Sequence, residues 1–112
     1  MKKLEKDQTV YAVAEAFRDD DYIARSYYDV YKCKVDLVPR EGLKEYRLVS
    51  CSKPTRVFFR TRAKIYESYA GAVEVAKAYA NKEDERNELY GINTRTYRPW
   101  ERKANDELQI CY

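Results

Sequence analysis

The chain has 112 residues, 45% apolar and 37% charged; 22 Lys and Arg against 19 Asp and Glu leave a formal charge of +3, and there is no histidine. That length suits a single compact α+β domain over residues 1–112, and the lack of histidine removes the commonest general base, triad member and nitrogen ligand for zinc. With three Gly and three Pro, a glycine-rich phosphate loop, a low-complexity linker and a collagen-like repeat are excluded as well.

The opening Met1 to Gln8 is charged and lacks the apolar stretch of a signal peptide. No later run is long enough to span a bilayer, which predicts a cytoplasmic protein with no membrane partner. From Thr9 to Phe17 the pattern fits either one helical face (Val10, Val13, Ala14, Phe17) or one side of a strand (Tyr11, Val13, Glu15, Phe17). Tyr11 and the two valines favour a strand, followed by a turn at Asp19, Asp20 and Asp21. These three acids are read as a solvated turn, because an EF-hand would spread its ligands over about twelve residues around a glycine.

From Tyr27 the residues Tyr31, Cys33, Val35 and Leu37 alternate with Lys32, Lys34 and Asp36, as in a half-buried antiparallel strand. Pro39 to Gly42 interrupt it and Tyr46 to Cys51 resume it, so residues 27–51 are expected to form a hairpin. Val57 to Tyr66 alternate again: Phe59, Thr61, Ala63 and Ile65 on one face, Phe58, Arg60, Arg62, Lys64 and Tyr66 on the other. Ser68 is placed to cap a helix over about 68–90, with Tyr69, Val73, Ala76 and Ala80 on its buried side and Gly91 as its stop. Its alanines permit close approach to a sheet. Lys82 to Glu88 read as a solvated helix end with pairs such as Glu83 and Arg86. Residues 93–103 look irregular, and Leu108, Ile110 and Tyr112 suggest a closing strand. The expected fold is α+β: a mainly antiparallel sheet of about four to five strands with one principal helix packed on one face.

Twelve tyrosines outnumber three Phe and one Trp, so much of the core boundary should be tyrosine, ring inward and hydroxyl toward water. Cys33, Cys51 and Cys111 are widely spaced, with no C-x-x-C and no histidine to complete a zinc site. They are expected to be reduced, with Cys33 and Cys51 as apolar fillers; a Cys33–Cys51 bridge is the lesser alternative. No metal site and no cofactor is expected.

Charge is distributed unevenly. Tyr46 to Tyr66 contains Arg47, Lys53, Arg56, Arg60, Arg62 and Lys64 and no acid, a +6 stretch in an otherwise slightly acidic chain. Within it Arg60, Arg62 and Lys64 would stand in a row about 6.6 to 6.8 Å apart on one strand face, flanked by Phe58 and Tyr66. Cations beside rings suit single-stranded nucleic acid, and equally an exposed strand that resists unwanted pairing. A second group, Arg95, Tyr97, Arg98, Trp100, Arg102 and Lys103, has the residue types of interface hot spots in its arginines, tyrosine and tryptophan, although Trp100 also suits a plug at the end of the core.

The composition points to a non-catalytic protein that binds a macromolecule; enzymatic activity is not expected. A sequence pI of about 8.7 is low for a dedicated nucleic-acid binder, which favours a protein or nucleoprotein partner over free nucleic acid. The alternative is direct binding of single-stranded nucleic acid or RNA through the basic strand face. Tyrosine-rich sheet surface is also compatible with a homodimer. In size, lack of catalytic motifs, absence of histidine and abundance of charge and tyrosine, the chain resembles small phage-encoded inhibitors, anti-CRISPR proteins among them. That resemblance implies blockage of a host nucleic-acid-handling complex.

Overall fold

The computed structural model describes residues 2–20, 23–52, 54–92 and 95–101, with side chains for all of these except 18–20 and 23–25. Strands β1 (Thr9–Asp20), β2 (Ile23–Leu37), β3 (Glu45–Ser50) and β4 (Val57–Thr61) are followed by a 3-10 turn (Arg62–Lys64), helix α1 (Tyr69–Leu89) and a second 3-10 turn (Pro99–Glu101). The strands form one antiparallel sheet in the order β1-β2-β3-β4. With α1 this is the α+β fold that the sequence pattern predicts, its strand count at the lower end of the expected range.

The ambiguous N-terminal run is a strand, paired with β2 from Thr9 opposite Lys34 to Asp20 opposite Ile23. Asp19 and Asp20 therefore belong to β1 and not to a turn; Asp21 lies outside the described residues. The sheet curls, and the chain beyond β4 meets β1 at one bridge. There the Tyr11 N–H donates to Tyr66 O (2.7 Å) and the Tyr66 N–H to Tyr11 O (2.9 Å). Inside the curl, Val10, Ala12, Ala14, Cys33, Val35, Tyr46, Leu48 and Phe58 pack with Leu4 and Ile65. On the outside of β1 and β2, Tyr11 and Val30 pack with α1 and Trp100.

Helix α1 starts where Ser68 Oγ accepts the Gly71 N–H (3.1 Å). It buries Ala72, Ala76 and Ala80, an i, i+4 stripe with Tyr69 and Val73 packed beside it. At its end the Ile92 N–H donates to Asn87 O (2.8 Å) and the Gly91 N–H to Glu88 O (3.0 Å), with Gly91 at φ 75°. This six-to-one bond around a left-handed residue is the reason a glycine stands at that position.

One strand departs from its predicted alternation. The β2–β3 register runs from Val35 opposite Leu48 to Leu37 opposite Arg47, so Asp36 is an extra residue forming a bulge. The bulge turns Leu37 off the core face, and it is 49% exposed. Asp36 accepts from Arg47 Nε (2.6 Å) and pairs with the same guanidinium through Nη2.

The cysteines also differ from expectation. Cys51 is disulfide-bonded, while Cys33 is a fully buried free thiol, so no Cys33–Cys51 bridge exists and Cys51 is not a reduced filler. Burial pushes the Cys33 thiol up to about 12, against the opposing pull of Arg60 and Arg56. No described helix is long and apolar enough to cross a membrane. The closing strand expected at 108–112 lies outside the described residues.

Candidate functional site

The predicted row of cations does not survive folding. β4 ends at Thr61, and the chain turns through a 3-10 helix at Arg62–Lys64 before Tyr66 meets β1. The strand faces differ too. Phe58 lies in the core at 4% exposure, whereas Phe59 is 56% exposed. Arg60, opposite Tyr46 in the β3–β4 register, shares the inner side with Phe58. Tyr66 is half-buried at the bridge rather than displayed.

Folding gathers a different set of cations along the seam where β4 and β1 approach. The Arg60 guanidinium carbon lies 5.2 Å from the Phe58 ring centroid. Arg56, from the turn before β4, lies 4.9 Å from the same ring and 4.8 Å from that of Tyr31. Arg56 Nη1 donates to the Tyr31 hydroxyl (2.7 Å) and reaches across to Glu15 O on β1 (3.3 Å). Its backbone is fixed by a mutual contact with Ser50: the Arg56 N–H donates to Ser50 Oγ (2.8 Å) and the Ser50 N–H to Arg56 O (2.9 Å). Lys64 Nζ stands 3.4 Å from the Tyr79 hydroxyl. Arg60 and Lys64, with Val13, Tyr66 and Tyr79, line a slot of about 240 Å³.

No described carboxylate pairs with Arg56, Arg60 or Lys64; their polar contacts are to carbonyl oxygens and tyrosine hydroxyls. Other arginines are paired: Arg47 with Asp36, Arg62 with Glu67, Arg86 with Glu83, Arg95 with Glu101 and Arg98 with Asp84. The unpaired field acts on its surroundings. Burial raises the Tyr66 hydroxyl, with Lys64 and Arg60 pulling against it, and burial likewise raises that of Tyr31 against Arg56.

Arg62 is set apart from this group by its contacts. It donates from Nε to Lys2 O (2.8 Å) and from Nη1 to Ile65 O (2.9 Å), tying the N-terminal segment to the turn.

The C-terminal group is chiefly packing. Trp100 is 7% exposed among Tyr11, Val30 and the alanines of α1, and the Tyr97 ring stands edge-on to Tyr27 at 4.9 Å. Arg95 forms a two-bond contact with Glu101 (3.1 and 2.7 Å). Arg98 donates through Nη2 to Asn81 Oδ1 and Asp84 Oδ2, both at 2.7 Å. Arg102 and Lys103 lie outside the described residues.

Asp84 is the hub of this segment. It accepts from the Thr96 N–H (2.7 Å) and hydroxyl (2.6 Å) as well as from Arg98. Burial raises its pKa, but the Thr96 bonds and Arg98 outweigh that and hold the carboxyl below the usual carboxylate range. A lowered folded-state pKa contributes stability above the unfolded value of about 4, which is lost as pH falls through the folded value. Asp84→Asn should therefore cost about 1–3 kcal/mol near neutrality and flatten the acid limb of stability against pH, as read from urea midpoints below about pH 4. An unchanged acid limb would show that Asp84 does not anchor the segment.

A second surface was not anticipated. Because α1 covers the outside of β1 and β2, the outside of β3 and β4 is not covered by any described element, with Val57 at 52% and Phe59 at 56% exposure. Leu37, Val38, Pro39, Leu43 and Phe59 line a cleft of about 540 Å³ there. The Asp36 bulge that turns Leu37 outward has no sequence marker, which is why this surface was missed. Among the described residues no group of His, Cys, Asp or Glu is placed to hold a metal. No family model matches the chain, and the searches of curated proteins and of solved structures found no match either.

Proposed function

We propose that the protein is a non-catalytic binding protein that docks the Arg56–Arg60–Lys64 seam onto an acidic surface of a macromolecular partner. One observation carries the reading: these three cations converge on one seam with no described carboxylate paired to them, while neighbouring arginines are paired within the fold. Cations held in place by rings and hydroxyls are pre-organised for an external anion, which lowers the ordering cost of binding. Inhibition of a nucleic-acid-handling complex, as small phage-encoded inhibitors perform it, is the activity this surface suits. The seam would then occupy an acidic surface of that complex.

Direct nucleic-acid binding is the second reading, favoured by the same charges and disfavoured by the rings. Base stacking needs open ring faces. Phe58 is buried, with guanidiniums close to its ring, and the Tyr79 ring packs on Tyr28 at 5.2 Å.

The test is the Arg56→Glu, Arg60→Glu, Lys64→Glu triple variant in a pull-down from the native host, with circular dichroism as a folding control. The variant should stay folded and lose the partner captured by the wild type; a folded variant that still captures it would sink the reading. In parallel, fluorescence anisotropy with duplex DNA at several salt concentrations should show weak binding. Tight binding with a log–log salt slope near about −2.7, as three phosphate contacts require, would put nucleic acid in the place of an acidic protein.

A further inference from the structure

We infer that the seam receives its partner as an extended acidic segment added as a strand to the open edge of β1; the inference rests on the acidic-partner reading above. β1 pairs with β2 over its whole length, but on its other side only Tyr11 is bridged among the described residues. In an antiparallel ladder, residues alternate between pairing with one neighbour and with the other. Since Tyr11 directs its N–H and C=O to Tyr66, Val13, Glu15 and Phe17 direct theirs to the same side. A continuing ladder would have set residues 64 and 62 opposite Val13 and Glu15. Instead the 3-10 turn at Arg62–Lys64 lifts the chain away after one bridge and leaves the edge unpaired among the described residues.

The chemistry of the opening selects its occupant. On the inner side of β1 stand Ala12, Ala14 and Ala16, small residues on the side where Arg56 and Arg60 lie against the Phe58 ring. On the outer side Phe17 is 72% exposed at the end of the edge, and Val13 lines the slot with Arg60 and Lys64. A strand laid along Val13 to Phe17 would direct alternate side chains inward, where carboxylates meet the arginines. The intervening side chains would turn outward beside Val13 and Phe17, where apolar groups fit and Glu15 disfavours another acid. Main-chain bonds would supply affinity and the alternating acids specificity, as in other strand additions. In the free protein Arg56 Nη1 occupies Glu15 O at 3.3 Å, a long contact that an incoming N–H can replace, which releases the guanidinium to a carboxylate. Until then the cations guard an edge that would otherwise invite unwanted pairing.

The probe is a short peptide alternating glutamate with valine. Its control is the same peptide with N-methylated backbone amides, which keeps the charges and removes the strand's donors. Affinity is read by calorimetry, and amide hydrogen exchange of the full chain by NMR. At a free peptide concentration of ten times Kd, exchange at Val13, Glu15 and Phe17 should slow about tenfold, and the N-methylated peptide should bind at least about tenfold more weakly. Arg60→Gln should weaken the unmodified peptide by about tenfold or more. If both peptides bind equally and the β1 amides exchange unchanged, while Arg60→Gln still weakens binding, the strand inference falls and the acidic-partner reading stands. If neither peptide binds, or binding ignores Arg60→Gln, both fall.

Discussion

Trp100→Ala should cost about 3–5 kcal/mol, enough to remove most of the stability of a typical small domain. The indole is 7% exposed and joins α1 to the outside of β1 and β2, touching the cluster of Tyr11, Val30, Ala72, Ala76 and Ala80. Alanine stripes bring helix and sheet close but contribute little area, so one large ring carries much of the apolar contact between them. Removing it leaves a cavity that three alanines cannot collapse to fill. Trp100→Phe should be far milder, under about 1.5 kcal/mol. The indole Nε1 has no acceptor among the described residues, so the phenyl ring loses volume without losing a hydrogen bond to any of them. Urea unfolding of the two variants checks both values. An alanine variant of wild-type stability that lost a binding partner would instead make Trp100 an interface residue.

The second large effect separates two adjacent phenylalanines. Phe58→Ala should cost about 3–5 kcal/mol, because the ring sits inside the curl against Tyr31 (5.3 Å between centroids) and supports both Arg56 and Arg60. Phe59→Ser, one residue on, should change stability by about 0.5 kcal/mol or less, since its side chain points to the bare outer face. Phe58→Ala should also weaken partner binding beyond its effect on the folded fraction, by releasing two guanidiniums into more conformations. Chemical denaturation ranks the pair; the opposite ranking would mean that β4 shows its other face to the core.

Local pattern made β2, β3 and α1 legible, because each carries its period over enough residues, whereas β1 fits both periods and only its tyrosine and valines point to a strand. The alternation from Val57 to Tyr66 misled for a specific reason. It continues through Arg62–Lys64 without a Gly or Pro, while the chain there must leave β4 to reach β1. Leu37 misled in a related way, since nothing in Val35-Asp36-Leu37 announces an extra residue. Arg56 belongs to the acid-free window but sits in a turn, where direction follows from tertiary contacts alone; its Ser50 bonds set that direction. Asp84 could have been found. It extends the i, i+4 stripe of Ala72, Ala76 and Ala80 by one step, so an acid that reads as solvated in isolation continues a buried face.

The Tyr11–Tyr66 bridge has a consequence for the order in which the molecule assembles. β1 and β2 are consecutive and pair along their length, so their hairpin closes through short loops, and β3 and β4 add to it in turn. The bridge joins residues far apart in the chain through two backbone bonds, and contacts so distant in sequence form late. The seam is therefore the last part of the sheet to close, and Ile65 and Tyr11 reach their buried positions only when it does.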